Sequence, residues 1–258
     1  MRLIISPAKK MRVDTDSFPC LEQPQFLPQT QRLLDQLRQL SPQQLKSLWK
    51  CSDQIAALNQ ERLARMDLRR GLTPALLAYE GIQYRCMAPG VFTQQELDYV
   101  AQRLRLLSGF YGLLRPFDGV TPYRLEMGAK LAVDGCKDLY EFWGDALARA
   151  LCQETTLIIN LASKEYSRAV APHLPSSITF LTCVFGEEQG GKIVEKGTLC
   201  KMARGDMVRW MAQRRVEDPE ELKEFDWLGY RFRPEHSDEK TYVFVKEKAY
   251  VGSGRKGT

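Results

Sequence analysis

Two short apolar runs, each ending abruptly in a polar turn, constrain this chain more than anything else in it. Leu3-Ile4-Ile5 gives way to Ser6-Pro7-Ala8-Lys9, and Leu157-Ile158-Ile159-Asn160-Leu161 gives way to Ala162-Ser163-Lys164-Glu165-Tyr166. The second run shows no alternation and only Asn160 interrupts it, as expected for a strand covered on both faces. Together with the helical patterns between the runs, this reads as a mixed α/β protein. Ligands of open α/β sheets gather beyond the carboxyl ends of the strands, where hydroxyls, backbone amides and helix N-termini converge. If the two strands are parallel neighbours, Ser6, Lys9, Ser163 and Tyr166 share one crevice. The alternative is two ordinary strand-to-helix turns, with Ser163 capping a helix.

Helical spacing of Leu33, Leu34, Leu37 and Leu40 predicts a helix over 30–40. Ser41-Pro42-Gln43-Gln44 supplies an N-cap, a proline at the first helical position and a capping-box glutamine, opening a second helix to about Lys50. A third spans 52–66, with Ile55, Leu58 and Leu63 on one face. Thr93-Gln94-Gln95-Glu96 is another capping box and starts a helix reaching Leu107. Residues 138–151 form the next helix, while Thr73–Ala78 fits either a helix or a short strand. Strands are expected at 3–6, 156–161, 178–185, 192–195 and 242–246, with a hairpin turning at 187–191. Gly252–Thr258 is a loose basic tail.

Several function classes fall away on residue counts. The chain has 258 residues, seven cysteines and two histidines. The cysteines are odd in number and irregularly spaced, with no C-x-x-C, so they read as small core residues rather than a disulfide or zinc framework. A catalytic triad or a two-histidine metal site would need His173 or His236, and both lie in polar, proline-flanked loops. Neither a metal site nor a cofactor is expected. No apolar run approaches the roughly 20 residues of a membrane helix. The opening apolar stretch is too short for a signal peptide, so the expectation is a cytoplasmic protein without membrane partners. Ser6-x-x-Lys9 matches a serine–lysine nucleophile pattern, but the companion elements are missing.

Charge is informative by its distribution. The formal net charge is +5. Residues 192–215 hold seven basic side chains against two acids, and 217–226 hold six acids and one lysine. Such separation creates a local field that the net figure conceals. Within 103–127, Arg103, Arg105, Arg115 and Arg124 interleave with Phe110, Tyr111, Phe117 and Tyr123. The order of a helix followed by Gly109-Phe110-Tyr111-Gly112 has the look of a helix-hairpin-helix, whose amides face a DNA phosphate. Pro116 would end its second helix early, and the alternative is a buried turn. Lys201 and Arg204, three apart on a first helical turn, point the same way. The guanidinium there suits bidentate anion recognition, unless the acidic 217–226 segment folds back as partner.

Six ordered blocks resemble the YaaA family of bacterial peroxide-stress proteins. They are residues 3–9, 104–116 (LRLLSGFYGLLRP), 122–128 (PYRLEMG), 137–144 (KDLYEFWG), 160–166 (NLASKEY) and 201–205 (KMARG). The resemblance covers nearly the whole chain. It implies one compact α/β domain over 1–258, with a small central barrel-like sheet surrounded by helices, a positive cleft and a helix-hairpin-helix. It also implies binding to double-stranded or structured DNA, and a role in limiting intracellular iron and oxidative DNA damage. Phe110 replaces the aliphatic residue expected in the hairpin.

Two functions follow. In the first, DNA phosphates meet Ser6, Lys9, Arg103, Arg105, Arg115, Arg124, Asn160, Ser163, Lys201 and Arg204, with Gly109, Tyr111 and Gly112 seating one strand, in a protein favoured to be a monomer. In the second, an enzyme acts on a nucleotide, nucleobase or phosphorylated metabolite in the same cleft. Its candidate catalytic residues are Glu126, Glu165 and Tyr166, a carboxylate beside Lys and Arg being a natural general base or nucleophile.

Overall fold

The two apolar runs lie side by side. In the computed structural model, which describes residues 1–247, β1 (Arg2–Ile5) pairs in parallel with β4 (Leu157–Leu161), placing Ile4 opposite Asn160 and Ile5 opposite Leu161. On its other side β1 pairs in parallel with β2 (Leu104–Ser108). The sheet is completed by β3 (Gly112–Leu114), β5 (Thr179–Gln189), β6 (Lys192–Val194), β7 (Tyr230–Phe232) and β8 (Thr241–Lys246). Strand order is β7-β8-β5-β4-β1-β2-β3, with β6 turning back on β5. The five inner strands run parallel, whereas β3 and β7 run antiparallel at the edges. No pairing joins β3 to β7 among the described residues, so the sheet is an open path. From β1 the chain proceeds to β2 on one side and later to β4 on the other. That reversal opens a crevice at the carboxyl end of β1.

Seven longer helices surround the sheet: α1 (Leu27–Arg38), α2 (Pro42–Trp49), α3 (Asp53–Arg65), α4 (Ile82–Met87), α5 (Gln94–Arg103), α6 (Ala146–Glu154) and α7 (Gly197–Arg214). The capping boxes Ser41/Gln44 and Thr93/Glu96 form as expected. In α3 the buried face is Ala56, Asn59 and Leu63, while Ile55 and Leu58 are exposed. Thr73–Pro74 pairs with Gly119–Val120 and is followed by one buried helical turn, Ala75–Ala78. The helix expected over 138–151 is two, Leu139–Trp143 and α6, broken at Gly144. One hydrophobic core runs through the whole assembly.

The largest departure from expectation is at 104–114. Helix α5 stops at Arg103, and Leu104 to Ser108 is a strand whose five residues are all buried. An amphipathic helix would leave one face wet, whereas the slot beside β1 demands a segment covered on both faces. Gly109-Phe110-Tyr111-Gly112 is therefore the tip of a β-hairpin and not of a helix-hairpin-helix. Gly112 closes the turn at φ +74, and a Cβ there would lie 2.8 Å from the Trp143 ring. Helices α2 and α3 pack together across a short connection of Lys50, Cys51 and Ser52, with Lys50 in the left-handed region.

His173 and His236 are exposed, in short 3-10 turns. Cys183 and Cys200 are buried and the other five cysteines are half-buried. Among the described residues no helix is long and apolar enough to cross a membrane. The basic tail at 252–258 lies outside the described residues.

Candidate functional site

Because β1 and β4 are parallel neighbours, the turns that follow them meet. The backbone N–H of Ser163 donates to Ser6 Oγ at 2.9 Å, and Ser6 Oγ donates to Ser163 Oγ at 3.2 Å. Ser163 stands at the N-cap of the single turn Lys164–Ser167, but its side chain makes no capping bond. It is spent on the other strand's turn instead. Tyr84 of α4 donates its hydroxyl to the Ser6 carbonyl (3.0 Å). Asn160 lies behind this junction: its Oδ1 accepts from the Ala162 N–H, and its Nδ2 reaches Thr182 at 3.3 Å. It shapes the turn and does not face the cleft.

The cleft above has a volume of about 700 Å³. Six cationic and four carboxylate side chains line it. Lys9 Nζ lies 2.8 Å from Glu126 Oε2, and Arg124 Nη2 lies 3.7 Å from the other oxygen of the same carboxylate. Arg124 also donates to the Trp49 carbonyl (3.3 Å), which ties the cleft rim to the end of α2. Opposite, α7 presents Lys201 and Arg204. Arg204 Nη2 lies 3.4 Å from Glu195, which Lys164 approaches from the other side at 3.6 Å. Lys201 is exposed and has no carboxylate or hydrogen-bond partner among the described residues. Arg124 and Arg204 are 10% and 11% exposed, and in each the Nε–H has no protein acceptor among the described residues. Buried guanidinium donors left unpaired are costly, and an anionic oxygen is their natural complement.

Glu165 accepts from the Gly128 N–H at 2.9 Å, which pins the 126–128 turn to the cleft wall. Burial pushes the phenols of Tyr84, Tyr123 and Tyr166 well up from their ordinary value. All three are therefore neutral at physiological pH. Tyr123 is held by Ser108 Oγ (2.6 Å) and Tyr79 (2.8 Å), and its ring stacks on Phe110 with centroids 5.0 Å apart. The aromatic hairpin is thus the floor behind the cleft.

Of the residues singled out from sequence, Ser6, Lys9, Arg124, Glu126, Ser163, Glu165, Tyr166, Lys201 and Arg204 line this one cleft. The rest lie elsewhere. Arg105 is buried near the amino ends of the strands, 2.6 Å from Glu154, which Arg2 also holds at 2.7 Å. Arg103 pairs with Glu217 at 3.0 Å and Arg115 pairs with Glu22. Tyr111 is fully buried, and its hydroxyl accepts from the Thr121 N–H; Gly109 gives its carbonyl to Trp143 Nε1. These residues surround the core because the 104–114 segment is a hairpin in the sheet. Sequence reading missed Lys10, Glu80, Tyr84 and Glu195 as cleft residues. Helix α4 is too short to announce itself by periodicity, and Glu195 is an ordinary loop acid until Arg204 is placed beside it.

A family model described as peroxide stress protein YaaA matches residues 1–236. A UPF0246 protein of Desulfitobacterium hafniense is 50% identical over 249 residues, covering 96% of this chain and 99% of the relative. One from Pediococcus pentosaceus is 50% identical over 97% of this chain and its own full length. One from Lactiplantibacillus plantarum is 51% identical over 95% and 99%.

Proposed function

This chain belongs to the YaaA peroxide stress protein family, and we propose that it acts in the peroxide stress response by binding DNA at the cleft beyond β1 and β4. The observation that carries this reading is convergence. Lys9, Arg124 and the Lys201/Arg204 pair of α7 come from three separate segments to face one cleft, and Arg124 and Arg204 each hold a buried N–H donor with no partner among the described residues. Backbone phosphates are the ligand such a wall suits, and binding of this kind is largely independent of sequence. A duplex is too wide for a cavity of about 700 Å³. The cleft therefore takes a strand end or an unpaired nucleotide of structured DNA, while adjoining duplex runs over the α2–α3 hairpin. That hairpin exposes Lys50, next in sequence to the Trp49 carbonyl that Arg124 holds, together with Ile55, Leu58 and a Lys46 paired with Asp53. Protection of DNA would follow from coverage, and any limit on intracellular iron would be indirect. Among the described residues no group of three or more His, Cys, Asp or Glu is placed to hold a metal ion.

Titration of duplex, hairpin and junction DNA between about 50 and 200 mM salt tests this, because log K falls with log salt at about −0.9 per phosphate neutralised. The Lys201→Ala/Arg204→Ala double variant should reduce that slope by about 1–2. Affinity indifferent to salt, or a slope unchanged in the double variant, would overturn the reading.

One observation favours a second reading. Glu126 bridges Lys9 and Arg124 inside a cavity whose size also fits a single metabolite. A carboxylate so placed can serve as general base toward a nucleotide or phosphorylated metabolite. On this reading Glu126→Gln abolishes turnover while leaving ligand affinity intact, and Arg204→Ala weakens affinity.

A further inference from the structure

Next to the cleft lies a second cavity, of about 740 Å³, over the short ladder in which Lys10–Met11 pairs with Tyr79–Glu80. The two cavities have Lys10, Glu80, Gly81 and Tyr84 in common, so they are consecutive compartments of one groove. What divides them is the Lys10–Glu80 ion pair, 2.9 Å long, with the lysine 79% and the glutamate 35% exposed. A pair this open to solvent contributes little and is easily exchanged for another partner.

The second compartment has two chemical faces. Its floor is apolar, with Leu76, Leu77 and Pro89 buried beneath it. Its rim is cationic. Arg12 is oriented by donation to the Leu77 carbonyl at 2.9 Å and is partly neutralised by Asp14 at 3.1 Å. Arg85 is exposed and has neither a carboxylate nor a hydrogen-bond partner among the described residues. An apolar floor beneath an uncommitted guanidinium suits a nucleobase together with its phosphate.

We infer that this compartment is a second nucleotide subsite, continuous with the first, so that the groove receives at least two linked nucleotides of a single strand. The connecting phosphodiester crosses at Lys10, which exchanges Glu80 for the phosphate, and Arg85 takes the phosphate beyond it. The inference rests on the reading of the cleft as a nucleotide site, and it adds a minimum length to the ligand.

The test compares two probes on the full chain by calorimetry: thymidine 3′,5′-bisphosphate and the dinucleotide carrying one further thymidylate. The dinucleotide should bind about tenfold more tightly or better, the size of one charge-assisted hydrogen bond. Arg85→Ala should remove that gain and leave the mononucleotide affinity within about twofold, while Arg85→Lys restores part of the gain. Equal affinity for both probes in the wild type, or an Arg85→Ala variant that weakens both in proportion, overturns the second subsite alone. Failure of the wild type to bind either probe overturns the nucleotide reading of the cleft, and the subsite with it.

Discussion

Arg105 and Arg204 carry the same side chain to opposite ends of the sheet, and the two differ in what surrounds the guanidinium. Arg105, itself buried, shares the half-buried Glu154 carboxylate with a half-buried Arg2. Although burial alone would raise the Glu154 carboxyl, the hydrogen bonds from both arginines hold it below its ordinary value. Arg105→Met should therefore cost about 1–3 kcal/mol in urea unfolding, since it takes a buried guanidinium away from the carboxylate it shares with Arg2, and should leave DNA affinity unchanged. Arg204→Ala should show the reverse ranking in the same two measurements. Asp118 is a different case. It is 2% exposed, Oδ2 accepts from the Arg115 N–H, and Oδ1 has no partner among the described residues. Burial pushes its carboxyl up from 3.8 to about 6, against the pull of that N–H. A raised folded value means that the protonated form supports the fold. This contribution is complete below 3.8 and is lost as pH rises through about 6. Asp118→Asn does not titrate, so its stability relative to wild type should climb by up to about 3 kcal/mol between pH 4 and 7. A constant difference across that range would show that Asp118 is solvated.

The crossing of α4 and α7 sets the width of the cleft, since Tyr84 stands on the first helix and Lys201 and Arg204 on the second. A Cβ at Gly205 would fall 2.0 Å from the Gln83 carbonyl. Gly205→Ala must push these helices apart, with an expected loss of about 1–3 kcal/mol. DNA affinity should fall in parallel, measured by thermal melting and by titration on the folded fraction. The capped helices α2 and α5 were legible because their signals are local, a hydroxyl and a Glu or Gln three residues apart. Strand β2 was not. Leu97, Val100, Leu104 and Leu107 continue a helical spacing without a break, and only the slot beside β1, formed by residues distant in sequence, makes 104–108 extended. The face of α3 was misplaced for a related reason: Ile55 and Leu58 are apolar, yet the neighbouring α1 and α2 leave them to solvent.

At the scale of the molecule, the meeting of Ser6 and Ser163 could be read from sequence because it required only that two buried strands be parallel neighbours. Which cations would converge could not. Arg103, Arg105 and Arg115 sit within a dense basic stretch, but each ends beside an acid from a remote segment. The acidic run after α7 likewise folds back, Glu224 meeting Arg214 and Glu217 meeting Arg103. The sign separation along the chain is thus partly cancelled in space.

The place of β1 in the middle of the sheet has a consequence for how the protein is made. Leu3 lies between Leu104 and Ile159. A nascent chain must therefore keep its first strand uncommitted until both flanking strands have left the ribosome, and contacts of such long range form slowly. The serine junction is completed only when the second of those strands arrives. The cleft is accordingly among the last features to take shape during synthesis, since its two walls cannot meet before Leu157–Leu161 has been made and paired with β1.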